Sequence, residues 1–182
     1  YWQAQGFAIT LVNPDETGVV SARAIEAVLD DDVCLVSVMS ANNETGVLQP
    51  ISEIAQAAHA AGALFHTDAV QAAGHVRLNA EASGIDMLSI SAHKFHGPKG
   101  VGTLVCRTRE GAEPLIYGGG QERGRRSGTE NVPGIVGLAA ALEEACATMK
   151  EDAARVRGLR DCFEEQLGHI KGAYVVGKAA AR

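Results

Sequence analysis

Ser89-Ile90-Ser91-Ala92-His93-Lys94-Phe95-His96-Gly97-Pro98-Lys99-Gly100 is an apolar run that ends in a histidine–lysine pair and breaks on glycine and proline. Lysine is almost never fully buried unless it is paired. A strand that delivers one at its end is therefore either running into a solvated surface loop or presenting an amine for a task. The neighbouring segments decide between these readings.

Working upstream, Ala63-Leu64-Phe65-His66-Thr67-Asp68 reads as a strand with Asp68 at its carboxyl end. Before it, Pro50 sits where a first helical turn tolerates proline. Ile51, Ile54, Ala55 and Ala58 then repeat at helical spacing up to Gly62, a natural C-cap. Val33 to Met39 is nearly continuous in apolar residues, the pattern of a strand covered on both faces. Ser21 is placed to cap a helix carrying Ala24, Ile25, Val28 and Leu29, which runs unfavourably into Asp30-Asp31-Asp32. Gly6 to Val12 reads as a short strand that stops at Asn13-Pro14-Asp15.

Downstream, Asp86 to Ser91 and Val101 to Cys106 read as strands on either side of Gly97-Pro98-Lys99-Gly100. Helical spacing takes over through Ile135, Leu138, Ala139, Leu142, Cys146 and Met149, and continues in a second phase through Val156, Leu159, Phe163 and Leu167. Gly168 to Gly177 is expected to start a separate strand. Alternating strands and helices with short joints predict an α/β fold, a mostly parallel sheet flanked by helices.

Bulk properties narrow the class. The 182 residues, 46% hydrophobic and 21% charged, can bury a true core. A net charge of −6 argues against a sequence-independent hold on nucleic acid, which needs a basic footprint. No charged-then-apolar leader is visible and no apolar run approaches a membrane span, so the expected location is cytoplasmic, without membrane contact. Cys34, Cys106, Cys146 and Cys162 lie in or beside apolar runs without zinc-knuckle or redox spacing, and are expected to be reduced packing residues. The chain does not begin with Met and opens inside ordered-looking sequence, as a partial chain would.

Ligands bind outside the carboxyl ends of the strands in an open parallel sheet. Three polar sets fall at such ends: Asn42/Asn43, Asp68/Gln71 and Ser91/His93/Lys94. Each alone is ordinary turn or cap chemistry, but three at one edge are complementary. A lysine can form a Schiff base with an aldehyde cofactor, and pyridoxal phosphate enzymes pair that lysine with an acid for the pyridinium nitrogen. Asp68 suits the ring nitrogen, Asn43 and Gln71 the ring oxygen or substrate, Ser91 and His93 the phosphate, and Thr129 adds a hydroxyl. A metal reading of His66, Asp68, His93 and His96 is disfavoured, because no helical His pair or Cys pair has zinc spacing. Gly118-Gly119-Gly120 lacks a phosphate-loop pattern and reads equally as a linker, and Arg123, Arg125 and Arg126 as a solvated face or subunit contact.

Four stretches carry a resemblance: Asn42 to Gly46, His66 to Gln71, Ser91 to Lys94 with Gly97 to Gly100, and Gly118 to Arg123 with Arg126 to Asn131. In order and spacing the chain resembles the cysteine desulfurases of nitrogen-fixation type, fold-type I pyridoxal phosphate enzymes of the class V aminotransferase group. The match weakens after about Met149. The resemblance implies Lys94 as the catalytic lysine that holds pyridoxal 5'-phosphate, Asp68 on the pyridine nitrogen, and Gln71 and Asn43 near the ring oxygen. It implies Ser91 and His93 on the phosphate, and Thr129 reaching the phosphate of a partner subunit in a homodimer. The implied reaction converts L-cysteine to L-alanine and an enzyme persulfide, destined for a sulfur-acceptor or iron-sulfur scaffold protein.

The resemblance also implies what is missing. An earlier phosphate loop and a ring-stacking histidine would precede this chain, and the sulfur-accepting cysteine and a carboxylate-binding arginine would follow it. Residues 1–149 are expected to be part of a cofactor-binding large domain, and 150–182 the start of a truncated small one. Selenocysteine lyase, another class V enzyme, or a non-catalytic piece are the alternatives.

Overall fold

In the computed structural model, which describes residues 2–107 and 113–182, the strands Leu35–Met39 (β1), Leu64–Asp68 (β2), Met87–Ser91 (β3) and Gly102–Cys106 (β4) pair side by side in sequence order. β1, β2 and β3 are parallel; β4 returns antiparallel to β3. The crossover from β1 to β2 is the helix Ile51–Ala60 (α2), as a parallel pair requires. Gly97 to Gly100 is too short for a crossover, which is why β4 reverses.

The core lies on one face. Val36, Phe65 and Ile85 meet Ile54, Ala55 and Ala58 of α2, while Ile90, Ala92 and Phe95 meet Leu138, Ala141, Leu142 and Ala145 of the helix Val132–Leu167 (α3). Expected coverage of both faces of β1 is not met within this chain: its burial alternates, and Leu35 and Met39 stay exposed. Thr67, fully buried among the apolar side chains, is satisfied by Ser40, 2.7 Å between hydroxyls.

Local signals placed most element ends. Ser21 Oγ accepts the Ala24 N–H of the helix Ala22–Glu26 (α1), which stops before Val28 and Leu29. Asn131 caps α3 by accepting the Gly134 N–H at 3.1 Å, with Pro133 in the first turn. Position 149 lies inside α3, one unbroken helix of 36 residues.

Several expectations are corrected. Gly6 to Val12 forms no strand: Trp2–Gln5 is a 3-10 turn, the following residues run without a ladder, and Leu11 is exposed. An apolar run without an adjacent strand cannot pair its backbone. Gly168 to Gly177 likewise makes turns, with Tyr174 exposed. The second apolar phase of α3 does not face the core, since Val156, Leu159 and Phe163 are exposed. The cysteines are free, but Cys34, Cys146 and Cys162 are exposed, so these three are not packing residues, while Cys106 is half-buried. By length and composition α3 is apolar enough to cross a bilayer, contrary to the expectation that no segment approaches a span. Its Leu138, Ala141, Leu142 and Ala145 pack on the protein core instead.

The carboxyl-terminal segment folds back on the loop after β1. The Leu48 N–H donates to Ala181 O at 2.8 Å, Gly177 packs on the fully buried Val47, and Arg182 grips Glu164 with two bonds of 2.8 and 3.0 Å.

Candidate active site at the carboxyl edge of the sheet

Register brings the strand ends together. Met39, Asp68 and Ser89 are neighbours across β1, β2 and β3. The chain beyond each end is stitched to the next: Ser40 N–H to Asp68 O at 2.8 Å, and Ala69 N–H to Ser89 O at 2.9 Å. Six expected residues, Asn43, Asp68, Gln71, Ser91, His93 and Lys94, therefore follow or end adjacent strands.

After β1, Asn42 is the structural member of its pair. Its Oδ1 accepts from Glu44 N and Thr45 N, both at 2.9 Å, and from Thr45 Oγ1 at 3.1 Å. This is an Asx turn, and it leaves Asn43 exposed at the tip. The turn is anchored from below by Gln49, whose side chain accepts the Val20 N–H and donates to Gly18 O.

At the end of β2, Asp68 is exposed and its Oδ1 accepts the Val70 N–H at 2.9 Å, which orients the carboxylate. Gln71, half-buried, stands three residues on in the turn that buries Ala69 and Ala72. After β3 the chain makes a 3-10 turn, Ala92–Phe95, that holds Lys94. Lys94 is half-buried, and its carbonyl lies 3.0 Å from His75 Nε2. Ser91 Oγ and His93 Nδ1 are 2.8 Å apart.

This turn is closely packed. Phe95, the residue after Lys94, is 1% exposed. α3 presses on it closely: a Cβ built on Gly97 would stand 2.9 Å from Ala92 Cβ and 3.2 Å from Ala141 Cβ, and one on Gly137 would stand 3.0 Å from Pro98. The Gly-Pro break is thus a packing requirement as well as a turn.

Thr129 is not at this edge in sequence or strand order. It is exposed on the segment before α3. That segment is folded rather than a bare linker: buried Ser127 donates to Gly119 O at 2.7 Å, and Gly128 N–H to Gln121 Oε1 at 3.3 Å.

Two histidines stand at this site beyond the expected cofactor-binding residues. His75 needs the tertiary fold to reach Lys94. His66 shares a face with Asp68 by strand alternation, which the sequence does signal. Burial lowers the basicity of its ring below the ordinary histidine value, and the nearby Asp68 charge only partly offsets this.

An amine, a carboxylate, two amides and a hydroxyl–imidazole pair stand at adjacent strand ends, which defines the class as an α/β protein with a polar candidate site at the carboxyl edge of its sheet. The Aminotransferase class-V family model matches residues 2–182, and the chain belongs to that family. It is 47% identical over 181 residues to a cysteine desulfurase of Gluconacetobacter diazotrophicus, covering 99% of this chain and 45% of that protein. A NifS-like protein from Rickettsia africae superposes with a TM-score of 0.91 at 33% identity, covering 100% of this chain and 52% of the other. The structure described as SspA in complex with cysteine matches with a TM-score of 0.74 at 40% identity, over 78% of this chain and 41% of that one. The chain spans about half the length of such relatives.

Proposed function

We propose that this chain carries the pyridoxal 5'-phosphate site of a cytoplasmic, homodimeric cysteine desulfurase. The observation that carries the reading is the gathering of Lys94, Asp68 and the Ser91/His93 pair at adjacent strand ends. The 47% identity to a cysteine desulfurase and the cysteine complex of SspA support the substrate.

The donor set fits the cofactor: a primary amine for its aldehyde, a carboxylate for its ring nitrogen, and a hydroxyl and an imidazole for its phosphate. When bound, it supplies an electron sink for the bonds around the substrate α-carbon. Asp68, oriented by the Val70 N–H, holds a proton on the ring nitrogen. Asn43 and Gln71 hydrogen-bond the ring oxygen, Ser91 and His93 bind phosphate, and Thr129 serves the site of the partner copy. Lys94 would be the residue that holds the cofactor's aldehyde, and its free amine would be the general base and acid for the substrate α-proton. Lys94 is half-buried, on a 3-10 turn anchored by the buried Phe95. Sulfur leaves L-cysteine for a cysteine thiolate, giving a persulfide and L-alanine, and passes on to a protein acceptor.

That thiolate lies outside this chain's described cysteines. Cys34 precedes β1, Cys106 stands opposite Met87 at the amino end of β3, and Cys146 and Cys162 lie along α3.

The test is visible absorption of the full-length protein with added pyridoxal phosphate, before and after borohydride, in wild type and Lys94→Ala. A visible band that borohydride bleaches while fixing the cofactor to the protein, and that is absent from the variant, is expected; equal spectra would reject the site. Mass spectrometry after L-cysteine should then find a persulfide together with L-alanine.

A further inference from the structure

His66 sits in the middle of β2 with both ring nitrogens engaged. Nδ1 is 2.8 Å from Ser37 Oγ on β1, and Nε2 is 2.9 Å from Ser89 Oγ on β3. The three side chains form a hydrogen-bonded row across three parallel strands. Ser89 is also the register partner of Asp68, so the row ends beside the carboxylate.

A neutral imidazole has one donor and one acceptor nitrogen, and a hydroxyl can complement either. Each hydroxyl can also accept from a ring N–H, so the row is satisfied in either charge state; what it fixes is the ring's direction, with both nitrogens on the serines and neither on Asp68. Burial favours the neutral ring against the pull of Asp68. Among the described residues, the strand neighbours of the ring on this face add no charge besides Asp68: Leu35, Ser37 and Met39 on β1, Leu64 and Asp68 on β2, Met87 and Ser89 on β3. Cys106, opposite Met87 on β4, is the next titratable side chain among them. The helices pack on the other face.

We propose that His66, clamped between Ser37 and Ser89, is a positioning residue that leaves the Asp68 carboxylate uncompensated for a cationic ring nitrogen. This rests on the cofactor reading above. A histidine free to turn and protonate would pair with Asp68 two residues along the strand and compete with the ligand. Fixing the ring between two hydroxyls removes that competitor while keeping the strands joined. A merely structural histidine would contribute stability and leave the charge at Asp68 unaffected.

The experiment uses the full-length, cofactor-free protein labelled with 13C in its histidine rings, the His66 signal being assigned by its loss in His66→Gln. Wild type should titrate below the 6.5 of an unperturbed ring. Asp68→Asn should lower the midpoint further, and Ser37→Ala/Ser89→Ala should raise it. Pyridoxal phosphate affinity is then measured by absorbance at about pH 6 and about pH 8, the range a histidine spans. The double serine variant should lose about tenfold more affinity than wild type on going to the lower pH, the effect of one pKa unit of coupling. His66→Gln, neutral throughout, should shift affinity by the same factor at both pH values, without the extra loss at the lower one.

A His66 midpoint indifferent to Asp68→Asn would overturn the proposal, as would a double serine variant whose affinity tracks wild type. Absence of any Lys94-dependent absorbance in wild type would instead reject the cofactor reading, while the titration still decides the His66–Asp68 coupling.

Discussion

His59 Nε2, at the end of α2, stands 2.7 Å from Asp86 Oδ2 at the entrance to β3, and the same oxygen accepts the Phe65 N–H at 2.8 Å. One carboxylate oxygen thus joins a helix and two strands. Burial pushes Asp86 up, but the His59 hydrogen bond, the Phe65 N–H and the charges of His59 and Arg107 together outweigh it and hold the carboxyl below its ordinary value.

Asp86→Ala leaves the buried Phe65 N–H without its partner and should destabilise by about 1–3 kcal/mol. Because the folded-state affinity of Asp86 for a proton is depressed, its contribution is complete above the ordinary aspartate pKa of about 3.9 and lost as pH falls through the lower folded value. Urea unfolding from neutral pH into the acid range, in wild type and variant, checks this; the gap between the two should narrow as pH falls.

Gly97→Val forces side-chain atoms into Ala92 and Ala141, where even a Cβ would stand 2.9 and 3.2 Å away. Overpacking of this kind costs about 1–3 kcal/mol. The damage should appear at the Lys94 turn, as faster amide exchange at Phe95 and weaker pyridoxal phosphate binding, before global unfolding.

Gly177 has φ +71°, and a Cβ there would stand 2.6 Å from Val47 Cγ2. Gly177→Ala should cost about 1–2 kcal/mol from the left-handed backbone alone. Amide exchange at Leu48, which donates to Ala181 O, is the local readout: it should accelerate if the carboxyl-terminal segment lifts.

The two adjacent asparagines should behave oppositely. Asn42→Ala removes the acceptor for three donors and should lower stability by about 1–2 kcal/mol, as loss of a side-chain cap does. Asn43→Ala, exposed at the tip, should leave thermal unfolding within about 0.5 kcal/mol of wild type while weakening pyridoxal phosphate binding.

Much of this protein was legible in its residues alone. Apolar strands ending in Asp68 and in Ser91 to Lys94, a helix between β1 and β2, the Ser21 cap and the reversal at Gly97 to Gly100 rest on periodicity and turn chemistry, which act between residues near in sequence. The parallel order followed, because a helix between two strands leaves little else. What sequence could not decide was pairing and coverage. Gly6 to Val12 and Gly168 to Gly177 have strand-like composition, yet a strand needs a neighbour. Cys34, Cys146 and Cys162 lie in apolar runs but turned outward, because an apolar segment does not specify which of its residues meets the core. Only the tertiary structure brought His75 to the Lys94 carbonyl, Asp86 to His59 and Phe65, and Ser37 and Ser89 to the two sides of His66. Each contact spans 19 to 29 residues of chain, and distances of that kind are set by strand register and helix packing rather than by local propensity.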